Sequence, residues 1–263
     1  MLYFPQLMTG TAAQLPCTKR VLQRTVANEQ PDGGVIKVFD PGGYRVQWDM
    51  QLSGLTSEEW SAIEGLFRTV EGRLGTFCFL DPFGNLLRWS EDLGAGAWTK
   101  GPAVQASGGA ADPFGTSRAA RVSNTGTAEQ DLSQTVTVPG WFQYCFSVYA
   151  RSDAPVAIKL FAKSGVSTAT RVVKTGPQWQ RFELSTAPGA QTETVTFGVT
   201  IEPGTAVSLF GLQAEAQPGA SGYKATSTRC GVFSNASFLD DELPMTSNAP
   251  GEFSSRIRIK AVS

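Results

Sequence analysis

The sequence predicts a mainly β protein: a discontinuous β-rich domain with one short helix, plus an inserted β-sandwich of the jelly-roll kind. Three observations predict it. The 28 glycines and 15 prolines cut 263 residues into short segments, as all-β chains require. Period-two alternation recurs in those segments, whereas one stretch only has helical spacing. The style of the chain also changes near residue 86 and reverts near residue 227.

Taken in order, Tyr44, Val46, Trp48, Met50 and Leu52 alternate along one face of a strand. Next, Thr56 and Glu59 have the spacing of a capping box. Trp60, Ile63, Phe67 and Val70 follow at helical intervals with Leu66 beside them, and Gly72 ends the pattern. The spacing predicts a helix over 57–70. Gly75 to Leu80 reads as a strand, and Asp81-Pro82-Phe83-Gly84-Asn85 as a turn.

From Trp89 to Gly115 the chain is rich in Gly, Ala and Ser. Strands then recur at 134–138, 141–151, 156–162, 179–184, 195–201 and 207–214, the spacing of a sandwich or jelly roll. After Ser227, short strands are expected at 231–233 and 237–239, and a longer one at 253–262. Three or four strands make no stable core alone. They are expected to pair with the N-terminal strands. The expected domains are therefore 1–85 with 227–263, and 86–226 inserted at a turn, where a fold tolerates a guest. Trp48, Trp60, Phe67 and Phe79 are expected in the core of the first.

Composition removes several function classes. Charge is 17% of residues with a net of −1, which argues against nucleic-acid and membrane-surface partners. No apolar run is long enough for a transmembrane helix. The N-terminus lacks a signal-peptide pattern, so synthesis in the cytoplasm is expected. With no histidine, Ser-His-Asp, Cys-His and HExxH sites are absent. Cys17, Cys78, Cys145 and Cys230 are scattered, which disfavours a zinc site. Cys78 and Cys145 read as buried, and a Cys17–Cys230 bridge stays open. Asp240-Asp241-Glu242 reads as a solvated turn, and Asp112-Pro113-Phe114-Gly115 as a turn rather than a calcium site. No cofactor, metal or catalytic residue is expected.

Two stretches carry a family resemblance. The strand Tyr44-Arg45-Val46-Gln47-Trp48, the helix opening at Leu55-Thr56-Ser57-Glu58-Glu59 and the segment Gly75-Thr76-Phe77-Cys78-Phe79-Leu80-Asp81-Pro82-Phe83-Gly84-Asn85 resemble the N-terminal domain of siphophage distal tail and minor tail proteins. Ser237 to Leu243 and Ile257 to Val262 resemble its closing part. Within 86–226, four stretches resemble carbohydrate-binding jelly rolls: Leu86-Leu87 with Gly96-Ala97-Trp98-Thr99-Lys100, Tyr144 to Arg151, Gln178 to Phe182, and Gly211 to Glu215 with Ser221 to Thr226. The resemblance implies a virion protein at the tail tip. It would form a ring, a hexamer, joining the tail tube to tip or hub proteins, with an outward sandwich touching host-surface polysaccharide. A free-standing carbohydrate-binding protein is the rival reading.

Sugar-binding sandwiches use aromatic rings against pyranose C–H faces, ringed by polar groups. On that basis the candidates are Gln143, Ser147, Tyr149 and Arg151 on the outer face of one strand. Gln213 and Glu215 join them from another, and Trp141 follows the Pro139-Gly140 turn. In the competing structural reading these groups satisfy one another across strands, with an Arg151–Glu215 ion pair. Trp179 reads as a core cover, and Trp98 as packed within the sandwich.

Overall fold

Residues 17–29 show no period-two alternation, yet they form the first strand, β1 (Cys17–Glu29). Their partner is β2 (Val35–Leu55), which pairs with them antiparallel from Cys17–Met50 out to Glu29–Val35. A computed structural model describes this chain over residues 1–262. The turn between the two strands is chemically specified. Gly33 takes φ +83°, a conformation glycine adopts without steric cost, and the Asp32 carboxylate accepts the Gly34 amide at 2.9 Å. Midway, the register shifts between Leu22 and Arg24. There a Cβ on Gly43 would stand 2.4 Å from the Arg24 Cβ, so the bulge requires glycine.

The helix α1 (Ser57–Thr69) begins where the capping box placed it. The Thr56 hydroxyl accepts the Glu59 amide at 3.2 Å, and the Glu59 carboxylate accepts the Thr56 amide at 2.8 Å. Trp60, Ile63 and Leu66 are its buried face. Phe67, expected in the core, is half-buried, with its ring against Phe238 at 5.1 Å. The fully buried β3 (Phe77–Leu80) follows.

The chain then enters a second compact unit, Asp81–Val232 together with Thr9–Thr11. Its strands are β4 (Thr99–Lys100), β5 (Val104–Ala110), β6 (Ala119–Asn124), β7 (Gln130–Val136) and β8 (Tyr144–Arg151). They continue as β9 (Val156–Ser164), β10 (Ser167–Thr175), β11 (Gln180–Thr186), β12 (Val195–Ile201) and β13 (Ala206–Glu215). They make two five-stranded antiparallel sheets, ordered β10-β9-β12-β7-β4 and β11-β8-β13-β6-β5. Tyr144, Phe146, Val148 and Ala150 alternate inward from β8, and Phe197 of β12 meets the Tyr144 ring at 5.5 Å. Trp98 is buried as expected, its indole N–H donating to the Trp89 carbonyl. Asp112 caps its turn by accepting the amides of Phe114, Thr116 and Arg118.

The chain returns as β14 (Val232–Phe238), β15 (Thr246–Ala249) and β16 (Glu252–Val262). The two short strands expected at 231–239 are one strand. The first unit is Met1–Met8, Ala12–Leu80 and residues 233 onward. Its sheet runs β1-β2-β16-β14-β3, with β15 on β16. The C-terminal strand thus pairs with the N-terminal β2, from Phe253–Leu55 to Val262–Arg45. Trp48 is the centre of its core, with Phe79 at 4.7 Å and Phe233 at 4.9 Å.

The expected limits 86 and 226 lie inside the second unit, whose boundaries fall at 80/81 and 232/233. Hydrogen bonding between the two stems accounts for the difference. Asp81 N–H donates to the Gly231 carbonyl and Gly231 N–H to that of Asn85. Gly84 and Gly231 pass so close that a Cβ on Gly84 would sit 2.7 Å from the Gly231 Cα. Among the described residues no disulfide forms, and no three or more Cys, Asp or Glu gather as metal ligands. No helix among them is long and apolar enough to cross a membrane.

Candidate functional site

Two regions gather the side chains of interest: the outer face of the sheet holding β8, and the distal half of the β1–β2 ribbon. On β8, the pleat that sends Tyr144, Phe146 and Val148 inward sends Ser147, Tyr149 and Arg151 outward. β13 needs a bulge to bring its polar residues to that side. Ser208 and Phe210 face out, the register shifts between Phe210 and Gln213, and Gln213 then stands opposite Ser147. Gly211, at φ +63°, makes the shift, and the Tyr223 ring closes over it.

The sequence placed Ser147, Gln213 and Glu215 on a solvent face. The structure corrects this: all three are buried, Gln213 and Glu215 bonded to a strap formed by residues 216–226 and Ser147 to Arg181. The Glu215 carboxylate accepts Gln213 Nε2 and Lys224 Nζ, each at 2.7 Å, and also the Ser221 amide and hydroxyl. Gln213 Oε1 accepts the Lys224 amide at 2.8 Å. The carboxylate is therefore engaged by the strap, and the Arg151–Glu215 pair of the structural reading is replaced by Lys224–Glu215. Burial pushes the Tyr223 phenol up, so it stays a neutral donor to Glu91 at 3.1 Å. Cys145, on the same face, is pushed up to about 12 by burial and the nearby Glu183 and Glu215 charges. It is an inert thiol.

Beyond the strap the face stays accessible. Tyr149 and Arg151 are half-exposed. Arg181 lies over the Tyr149 ring at 5.4 Å and donates to Ser147 Oγ and the Ser221 carbonyl. Its Nε has no hydrogen-bond acceptor among the described residues. Trp179, expected to cover the core, instead meets the Arg151 guanidinium at 5.7 Å on this outer side. Phe114 is 56% exposed and stands edge-on to Tyr149 and Phe210, each at 5.8 Å.

Two candidates fall elsewhere. Trp141 is exposed, as expected, with its ring against Phe142. It precedes the end of β8 opposite Arg151, and the eight residues of that strand span about 25 Å. Gln143 packs against Gly10, where a Cβ would fall 2.4 Å from its Oε1. The structure thus unites Tyr149 and Arg151 with Phe114, Trp179 and Arg181. Sequence reasoning missed these three because their approach depends on the β8–β11 register and on a loop position. Antiparallel pairing of Arg181 with Tyr149 is the signal that locates the arginine.

In the first unit, β1 is exposed along nearly its whole length. Among the described residues, β16 pairs with β2 as far as Arg45, and residues 35–40 pair with β1 alone. One side of that distal ribbon carries Val26, Val38 and Ile36, and the other Phe39 and Val35, all exposed. Arg24 pairs with Asp40 at 2.9 Å at its base. Elsewhere on this unit, Asp240 and Asp241 of the expected solvated turn are engaged by Arg258 and Arg73.

No protein-family model matches the chain, and no curated protein matches it. Among solved structures it is similar to the enzymatically active domain of bacteriophage CBA120 tailspike protein 4, at 13% identity and TM-score 0.40. That match covers 56% of this chain and 23% of the tailspike chain. It is also similar to TmCBM61, solved with β-1,4-galactotriose, at 18% identity and TM-score 0.36, covering 45% of this chain and 88% of that one. A third is the CBM22-1 xylan-binding domain of Paenibacillus barcinonensis Xyn10C, at 12% identity and TM-score 0.40, covering 52% and 94%. At these TM-scores the likenesses assign neither a relative nor a function.

Proposed function

We propose that this chain is a structural subunit of a bacteriophage tail tip, a ring-forming distal tail component that joins the tail tube to tip or baseplate proteins. The observation that carries the reading is the distal β1–β2 ribbon. A two-stranded ribbon is marginal alone. This one leaves both edges open and shows apolar side chains on both sides, the pattern of an association site. A repeated contact between copies that closes into a ring would cover it in every subunit. The sandwich contributes contact with host-surface polysaccharide through its arginine–aromatic face. A ring multiplies such contacts, so weak sites hold by avidity.

We assign no catalysis. The buried Glu215 and Asp112 carboxylates are taken up by amide, hydroxyl and ammonium donors of their own unit. The same arginine–aromatic face favours a second reading, a free-standing carbohydrate-binding protein, which needs no assembly. Sedimentation and negative-stain electron microscopy of the purified chain separate the two. Closed rings, or capture by tail-tube or tip proteins, uphold the structural reading. A strict monomer indifferent to those proteins, yet binding a glycan, upholds the second.

A further inference from the structure

The registers of four neighbouring strands bring polar side chains into one row. Arg151 of β8 stands opposite Ser208 of β13. Ser208 stands opposite Arg121 of β6, and Arg121 opposite Ser107 of β5. Residues directly opposite share a face of the sheet, so all four project outward with Tyr149 and Phe210. Adjacent strands lie about 4.8 Å apart, which sets the two arginine Cα atoms about 10 Å from each other with the buried Ser208 between.

Neither guanidinium is committed. Arg121 meets Asp153 at 3.2 Å, with side chains 50% and 75% exposed, a pair that water weakens to below about 1 kcal/mol. Among the described residues no carboxylate pairs with Arg151. Its guanidinium rests on Trp179, which pre-positions it without neutralising it. In the next row, Phe114 offers an open ring beside Tyr149.

We propose that this face binds an anionic polysaccharide. Arg121 and Arg151 take acid groups on neighbouring or next-neighbouring sugars, and guanidinium forks match such groups in a bidentate manner. Phe114 receives the C–H face of a pyranose, and Trp179 is a positioning residue for Arg151. The inference rests on the carbohydrate part of the function proposed above and names its ligand class.

The test is calorimetric titration of the full chain with polygalacturonate, a teichoic acid, neutral xylan and polyglutamate, at low and high salt. Binding of polygalacturonate at least tenfold tighter than of xylan is expected, weakening with salt. The pair Arg121→Ala with Arg151→Ala should lose at least tenfold, and so should Phe114→Ala. All three side chains are at least part-exposed, and an unchanged unfolding temperature verifies that each variant folds. Preference for the teichoic acid also upholds the proposal and assigns the charge to phosphate. Equal binding of xylan and polygalacturonate overturns the anionic class while leaving the carbohydrate reading standing. Polyglutamate bound as tightly as the glycans, with no effect of Phe114→Ala, reduces the face to a basic patch and overturns it. Failure to bind any glycan removes both.

Discussion

Replacing Ile36 and Val38 together with lysine should abolish self-association and leave the subunit folded. The two side chains are 49% and 51% exposed and, with Val26, form the apolar row on one side of the distal ribbon. Fully burying an aliphatic side chain is worth about 1.5–3 kcal/mol. With half of each already hidden, covering the rest contributes about 1 kcal/mol apiece. Losing both costs about 2 kcal/mol per contact, or about 30-fold in affinity, and burying two ammonium groups adds to it. In the separated subunit the same positions face water, where substitutions change stability by about 0.5 kcal/mol or less. Light scattering after size exclusion, over a range of concentrations, reads the association, and thermal unfolding reads the fold. Association equal to that of the unaltered chain would refute the reasoning. So would a large fall in unfolding temperature, since the row would then be supporting its own subunit.

Three further outcomes follow from the packing. Glu215→Ala strands Lys224 of the strap and Gln213 beneath it. Breaking a buried pair costs about 3–5 kcal/mol, and the partial exposure of Lys224 should reduce this to about 2–3 kcal/mol. Denaturant unfolding measures it, with earlier proteolysis at 216–226. Thr56→Ala removes one arm of the capping box and should cost about 1 kcal/mol, read from the unfolding midpoint. Burial alone would raise the Asp112 carboxyl. The Thr116 hydroxyl and the amides of Phe114, Thr116 and Arg118 outweigh it and hold the group well below the ordinary carboxylate range. Its folded value lies under its unfolded one, so its stabilisation is complete above about pH 4 and is lost as pH falls further. Acid titration of the unfolding free energy should show that loss in the unaltered chain and a shallower slope in Asp112→Asn.

Local signals carried much of this protein. The Thr56–Glu59 spacing located the helix start because a cap is settled within four residues. Period two assigned the faces of β2 and β8 because the pleat is a property of the strand itself. The lack of alternation over 17–29 hid β1, a strand with almost no buried face to leave a pattern. At the site, Tyr149 and Arg151 were legible from parity alone. The burial of Ser147, Gln213 and Glu215 was not, because Arg181 and a strap from later in the chain engage them. Nor was the company of Phe114, Trp179 and Arg181, which follows from strand register and loop closure. An amino-acid sequence states which residues can share a face, since that depends on neighbours one turn or one pleat away. What lies over a face is decided when distant segments dock, and only the folded chain settles whether a polar row meets water or a strap.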